Sequence, residues 1–289
     1  MKKICLGSAL WGWSVNKKEV FKLLDLYYSE GYRYIDMAWN YPINGLENKI
    51  SAKHFLAEWL KINKINDVKI IYKVGSVCHR RTEENDLSDK NLTEQIYQSL
   101  DLFGENISSV MIHWDNRLNF VEINMTCSFL SYKLKELNLL IGLSGIQDVD
   151  SYFRSLVASQ KKVYIQVKSN FLYQDEEKYK IFNDKIETNY FAYGISMGGV
   201  KPSKSEYTIK SNIVLSKTLS YHDLIVNDSL LQKYDSLKRE HYFIENFYHA
   251  SMYNIESNKA VYGYIVAPTS VEQMLDILRF RNAYINEKS

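Results

Sequence analysis

The chain has 289 residues, 46% of them hydrophobic and 24% charged, a balance that suits one large globular domain and excludes a disordered or fibrous polypeptide. Its net charge of +2 comes with both signs interspersed, which excludes the basic stripe of a nucleic-acid-binding protein and leaves small molecules as the expected partners. Cys5, Cys78 and Cys127 lie too far apart for a disulfide framework or a metal-binding pair, and no apolar run is long enough for a signal peptide or a membrane span, so a reducing cytoplasm is expected.

Ile4 to Leu10 reads as a strand. The turn beside it, Leu6 to Trp13, lacks G-x-G-x-x-G spacing and opens no helix at once, so a Rossmann glycine loop is excluded. Lys17 to Glu30 has the apolar spacing of an amphipathic helix at Val20, Leu23, Leu24 and Tyr27. Gly31-Tyr32-Arg33-Tyr34-Ile35-Asp36 then gives a short buried strand that delivers a carboxylate at its end. A carboxylate in a core needs a cationic partner to offset its desolvation. Ile70 to Gly75 carries Lys73 at the end of another apolar strand, and Ser108 to Trp114 repeats the pattern with His113. Titratable residues at successive strand ends, with Tyr41 in the loop after the first, read as an active site, because function in parallel α/β folds collects at the carboxyl ends of the strands.

Helices are expected from about Gly45 to Lys61 and from Asn91 to Phe103, with a solvated charge run at His79 to Asp86 between them. Further helix and strand pairs follow: Cys127–Asn138 with Leu139–Gly145, Val149–Ala158 with Val163–Val167, and Glu177–Thr188 with Tyr190–Ile195. Ala260 to Val266 supplies the last strand, before a helix that starts near Ser270. The fold class is therefore α/β, a (β/α)8 TIM barrel formed as a single domain by residues 1–289. A long polar insertion between the seventh and eighth strands, from Gly198 to about Glu240, is the candidate specificity element. Clustered carboxylates, His-x-His and His-Glu-x-x-His are missing from the sequence, so no metal site is expected.

The run Gly-Tyr-Arg-Tyr-Ile-Asp-x-Ala, then Tyr41 and Glu47, then Lys73-Val74-Gly75, then His113-Trp114, resembles the aldo/keto reductase superfamily over nearly the whole chain. The resemblance implies an NAD(P)H-dependent oxidoreductase that reduces an aldehyde or ketone, including sugar-like ones, to the alcohol. Its catalytic residues would be Tyr41 as proton donor, Lys73, Asp36 and His113, with Lys73 expected to bring the high phenol pKa into working range. Ser144 and Gln166 would hold the nicotinamide carboxamide and Tyr193 would stack on the ring. Ser196 and Gly198 would follow along the cofactor, and Thr269, Ser270 and Gln273 would stand at the adenosine phosphate. Trp11, Trp13, Trp39 and Trp114 would line the substrate pocket.

The sequence departs from the family pattern at Met37, at Gly145 where Asn is usual, at Ala267, at Ile277, and at Gln273 where Arg is common. Family resemblance favours NADP(H) over NAD(H), while loss of the Arg removes a bidentate cation for a ribose phosphate. These departures keep open an alternative, a catalytically inert reductase-fold binding or regulatory protein. Neither nucleic acid nor membrane is expected as a partner, and the oligomeric state is not legible.

Overall fold

The computed structural model describes residues 1–43, 51–79, 84–208 and 220–288. Eight parallel strands close into a barrel in sequence order, β1 pairing with β8. They are β1 Lys3–Gly7, β2 Tyr34–Ala38, β3 Lys69–Val74, β4 Ile107–Asp115, β5 Leu140–Ile146, β6 Lys162–Lys168, β7 Glu187–Tyr193 and β8 Val261–Val266. The (β/α)8 TIM barrel is thus the observed architecture. Glu47 and the first part of the helix expected from Gly45 lie outside the described residues, as does part of the charge run.

Around the barrel run α1 Lys17–Ser29, α2 Ala52–Asn63, α3 Asp89–Phe103, α4 Phe120–Glu136 and α5 Val149–Leu156. After β7 come α6 Ser220–Ile225, α7 Asp228–Glu240 and α8 Phe247–Ser257, and α9 Val271–Lys288 follows β8. Short polar side chains start these helices by accepting from otherwise unbonded N–H groups: Asn16 before α1, Ser88 before α3, Asn119 before α4, Asp148 before α5, Asn227 before α7 and Asn246 before α8. Each such cap is worth about 0.5–2 kcal/mol. One apolar stripe per helix then packs onto the outer face of the strands, as Val20, Leu23, Leu24 and Tyr27 of α1 do.

Two stretches depart from the sequence expectation. The helix expected over Glu177–Thr188 is a 3-10 segment, Asp175–Phe182, and β7 already begins at Glu187. The first turn of that segment carries Asp175, Glu176 and Glu177, while its spaced core anchors are Tyr179 and Phe182. The i, i+3 repeat of those anchors matches the tighter helix. After β7, the segment read as a polar insertion contains packed structure: Leu230 and Tyr234 of α7 are buried, and Tyr234 meets Phe247 of α8 edge-on at 4.9 Å. The sequence reading gave α8 no element at all, although Phe247, Ala250, Met252 and Ile255 are core residues.

Candidate active site

Side-chain alternation along the strands decides what stands at the carboxyl end of the barrel. Cys5, Tyr34, Ile71, Met111, Tyr164 and Phe191 form an apolar layer inside the barrel. Two residues beyond Tyr34, Ile71, Met111, Tyr164 and Phe191 stand Asp36, Lys73, His113, Gln166 and Tyr193, so the polar layer lies directly above the apolar one. Ser144 joins it from β5, two residues beyond Gly142. A Cβ at Gly142 would lie 2.5 Å from Met111 Cγ, so the glycine is what lets Met111 fill that part of the apolar layer.

Lys73 is the hub. Its ammonium donates to Asp36 Oδ2 at 2.8 Å, to the Tyr41 hydroxyl at 2.7 Å and to Gln166 Oε1 at 3.2 Å, which uses its full set of hydrogens. Because the Tyr41 oxygen accepts from Lys73, the phenol's own proton is directed away from the ammonium. Asp36, Lys73 and His113 are each 3% exposed, so water does not screen the pair. Ser8 Oγ donates to the Asp36 carbonyl at 2.7 Å and fixes the strand end, and it also meets Met37 Sδ at 3.2 Å.

Burial pushes the Tyr41 phenol up, and it outweighs the opposing pull of Lys73, so the group ends at about 12. The expectation that Lys73 brings the phenol down into range is corrected here: the fully enclosed oxygen is held protonated. For Lys73 itself burial favours the neutral amine, but Asp36 and Tyr41 together reverse this and hold it above its ordinary value. His113 is driven well below the usual 6.5, first by burial and then by Lys73. The imidazole is neutral, with Nδ1 facing Ser76 Oγ at 3.4 Å, so Nε2 is left to meet a ligand. Its ring packs edge-on to Tyr41 with centroids 5.8 Å apart.

A buried neutral histidine makes the fold sensitive to acid. Its folded pKa is depressed, so its contribution is present above the unfolded value of 6.5 and is lost as pH falls below it. His113→Gln should therefore flatten the acid limb of a stability-against-pH curve measured by urea unfolding. An unchanged slope below about pH 6 in that variant would show that His113 is not the titrating group.

Gln166 and Ser144 sit together, but not as free ligands. Gln166 Nε2 donates to Asp36 Oδ1 at 2.5 Å and Ser144 Oγ donates to Gln166 Oε1 at 3.1 Å. A bound carboxamide would exchange partners with this amide. Beside them a cavity of about 310 Å³ is lined by Gly145, Ile146, Gln166, Lys168, Tyr179 and Tyr193. The Tyr193 and Tyr179 rings and the Gln166 amide give this space an aromatic wall and a polar end that fit a nicotinamide ring, while Lys168, Asp175 and Lys178 add charge around it.

The chain turns sharply after β7, with Met197 N–H donating to the Gly194 carbonyl and Gly199 N–H to that of Ser196. Ser196 and Gly198 are exposed there. Gly198 has φ +74°, which glycine adopts freely. Thr269, Ser270 and Gln273 open α9, far in sequence from the ion pair and bonded among themselves.

The tryptophans part company. Trp114 lies beside His113, with ring centroids 5.6 Å apart, and its indole covers Gly145, where a Cβ would come within 2.7 Å of Trp114 Cε3. Its Nε1 is buried and has no hydrogen-bond partner among the described residues, and the same is true of Trp11. Trp39 instead donates to Gln98 Oε1 at 3.1 Å and stacks on His79, and Trp13 is 56% exposed. Ser8, Ser76 and Lys168 were missed in the sequence. Ser8 and Ser76 each fall one to three residues beyond a strand end, the only signal that marks them.

The fold defines a class, the (β/α)8 barrels. Residues 3–286 match the model of the aldo/keto reductase family, and the chain belongs to that family, which carries out NAD(P)H-dependent oxidoreduction and binds small-molecule carbonyl substrates. Among solved structures it is similar to a thermostable aldo-keto reductase, Tm1743, in complex with the inhibitor epalrestat. The likeness covers 96% of this chain and 89% of that one at 18% identity, with a TM-score of 0.67. No curated protein matches the chain. Among the described residues no helix is long and apolar enough to cross a membrane.

Proposed function

We propose that the protein reduces an aldehyde or ketone, sugar-like substrates included, to the alcohol, with Tyr41 as proton donor. The observation that carries this reading is the buried contact from Lys73 Nζ to the Tyr41 hydroxyl at 2.7 Å, backed by Asp36 at 2.8 Å. The bound reduced nicotinamide supplies the hydride. Everything else is done by the chain. Tyr41 gives its proton to the carbonyl oxygen as negative charge develops there, and the phenolate left behind stays in contact with the Lys73 ammonium. Asp36 keeps Lys73 charged and aimed. His113, neutral, donates Nε2–H to the same oxygen and holds the carbonyl in line. Ser144, Gln166 and Tyr193 hold the nicotinamide end, and Trp114 and Trp11 border the substrate. Cys5 and Cys127 are buried thiols, which fits a cytoplasmic setting.

Titration with NADH and with NADPH tests the first half of this reading, by quenching of tryptophan fluorescence and by the shift in melting temperature. Binding of either nucleotide, followed by loss of nicotinamide absorbance when aldehydes are added, is the expected result. If neither binds at millimolar concentration, the inert-scaffold alternative replaces it.

A further inference from the structure

In barrels that hold phosphates, the loops after the seventh and eighth strands and a helix N-terminus beside them form the usual site. Here several of the donors around the start of α9 are taken by the chain itself. Thr269 N–H donates to Gln273 Oε1 at 2.8 Å, and Gln273 N–H to Ser270 Oγ at 3.4 Å. Val271 N–H donates to Glu19 Oε1 at 3.1 Å. Glu19 belongs to α1, and the pairing of β1 with β8 is what brings α1 against the start of α9.

The charge around this point is wrong for a further phosphate. Glu19 is a carboxylate, Glu272 adds another, and a neighbouring cation, Lys22, is already on Glu19 Oε2 at 3.3 Å. Gln273 supplies no charge. Two lysines of the loop after β7 are engaged elsewhere: Lys201 Nζ donates to the Glu206 carbonyl at 2.6 Å and Lys204 pairs with Asp223 Oδ2 at 2.8 Å. A carboxylate beside an adenosine ribose accepts a 2′-hydroxyl and repels a 2′-phosphate, whereas a phosphate asks for an arginine.

We propose that Glu19, seated on the first turn of α9, selects NAD(H) against NADP(H). This rests on the reading of the chain as a nicotinamide-dependent reductase, and it reverses the preference that family resemblance suggests. A phosphate at this point would add about two negative charges next to Glu19 and would have to displace it from Val271.

The test is a pair of binding isotherms, NADH and NADPH, measured by fluorescence quenching and by calorimetry without any carbonyl substrate. The parent is expected to bind NADH at least about tenfold more tightly. Glu19→Gln keeps the length and the acceptor on Val271 but removes the charge, and it should narrow that ratio by about three- to tenfold. The parent's discrimination should also shrink as salt is raised, because partly exposed charges are screened. Gln273→Arg, which leaves Glu19 untouched, should tighten NADPH in the same direction. Equal or tighter binding of NADPH by the parent overturns the proposal alone, as does a ratio unmoved in Glu19→Gln. Failure of both nucleotides to bind overturns the reductase reading and this proposal together.

Discussion

Tyr41→Phe is expected to fold, to bind nucleotide as the parent does, and to lose the rate of hydride transfer by about 10² to 10⁴, the amount that a positioned general acid contributes. The substitution keeps the ring that packs against His113 and removes only the hydroxyl. The loss follows from geometry: the oxygen accepts from Lys73 at 2.7 Å, which leaves its own proton free to point away from the ammonium. Single-turnover loss of nicotinamide absorbance measures it directly. A rate close to the parent's would show that the proton comes from elsewhere and that Tyr41 is a packing residue. The pH dependence follows from the same group. With the phenol pushed up to about 12, the parent keeps its proton donor loaded throughout the neutral range. A raised pKa contributes stability that is intact below the unfolded value of 10.0 and is lost as pH climbs from there toward about 12. Tyr41→Phe should remove that alkaline component.

Lys73→Met is expected to damage both stability and rate. It strands the Asp36 carboxylate, 3% exposed, with the Gln166 amide as its remaining side-chain donor. Removing one partner of such a buried pair costs about 3–5 kcal/mol. Adding Asp36→Asn should restore much of the stability, because the uncompensated charge is gone, yet the double variant should stay as slow as the single one. Urea unfolding and single-turnover kinetics on the two variants separate these effects. Were the double variant no more stable than Lys73→Met alone, the loss would come from packing of the lysine stem and not from the buried charge.

The polar layer at the carboxyl ends of the strands was legible in the sequence because period two is a strong signal. A strand that is apolar up to its last inward position and then carries Asp36, Lys73 or His113 is conspicuous without a structure. Distances and balances were not legible. Nothing in the order of residues says that Gln166 turns its amide onto Asp36, or that enclosure of Tyr41 outweighs Lys73. Those depend on how completely neighbouring strands shut out water. The missed helix α8 has a similar cause. Its sequence, Phe247 to Ser257, mixes Tyr, His, Ser and Asn with its core residues, so its periodicity is weak although the packing is firm. Glu19 was equally silent, since its contact with Val271 exists only once the first and last units of the barrel meet.

That meeting has a consequence for how the protein is made. Lys3 of β1 pairs with Gly263 of β8, Lys2 Nζ donates to the Asn258 carbonyl at 2.6 Å, and Arg281 bonds the Lys2 carbonyl. As the chain leaves the ribosome, the strands that carry Asp36, Lys73, His113, Ser144, Gln166 and Tyr193 are all synthesised well before β8. Until Val266 emerges the sheet is open, with β1 and β7 presenting unpaired edges that invite pairing with another chain. Closing so long a loop is entropically costly and slow. The nascent barrel therefore passes through a stage in which the polar groups of its carboxyl-end layer exist but its seam does not, and that stage is its window of exposure to aggregation and to chaperones.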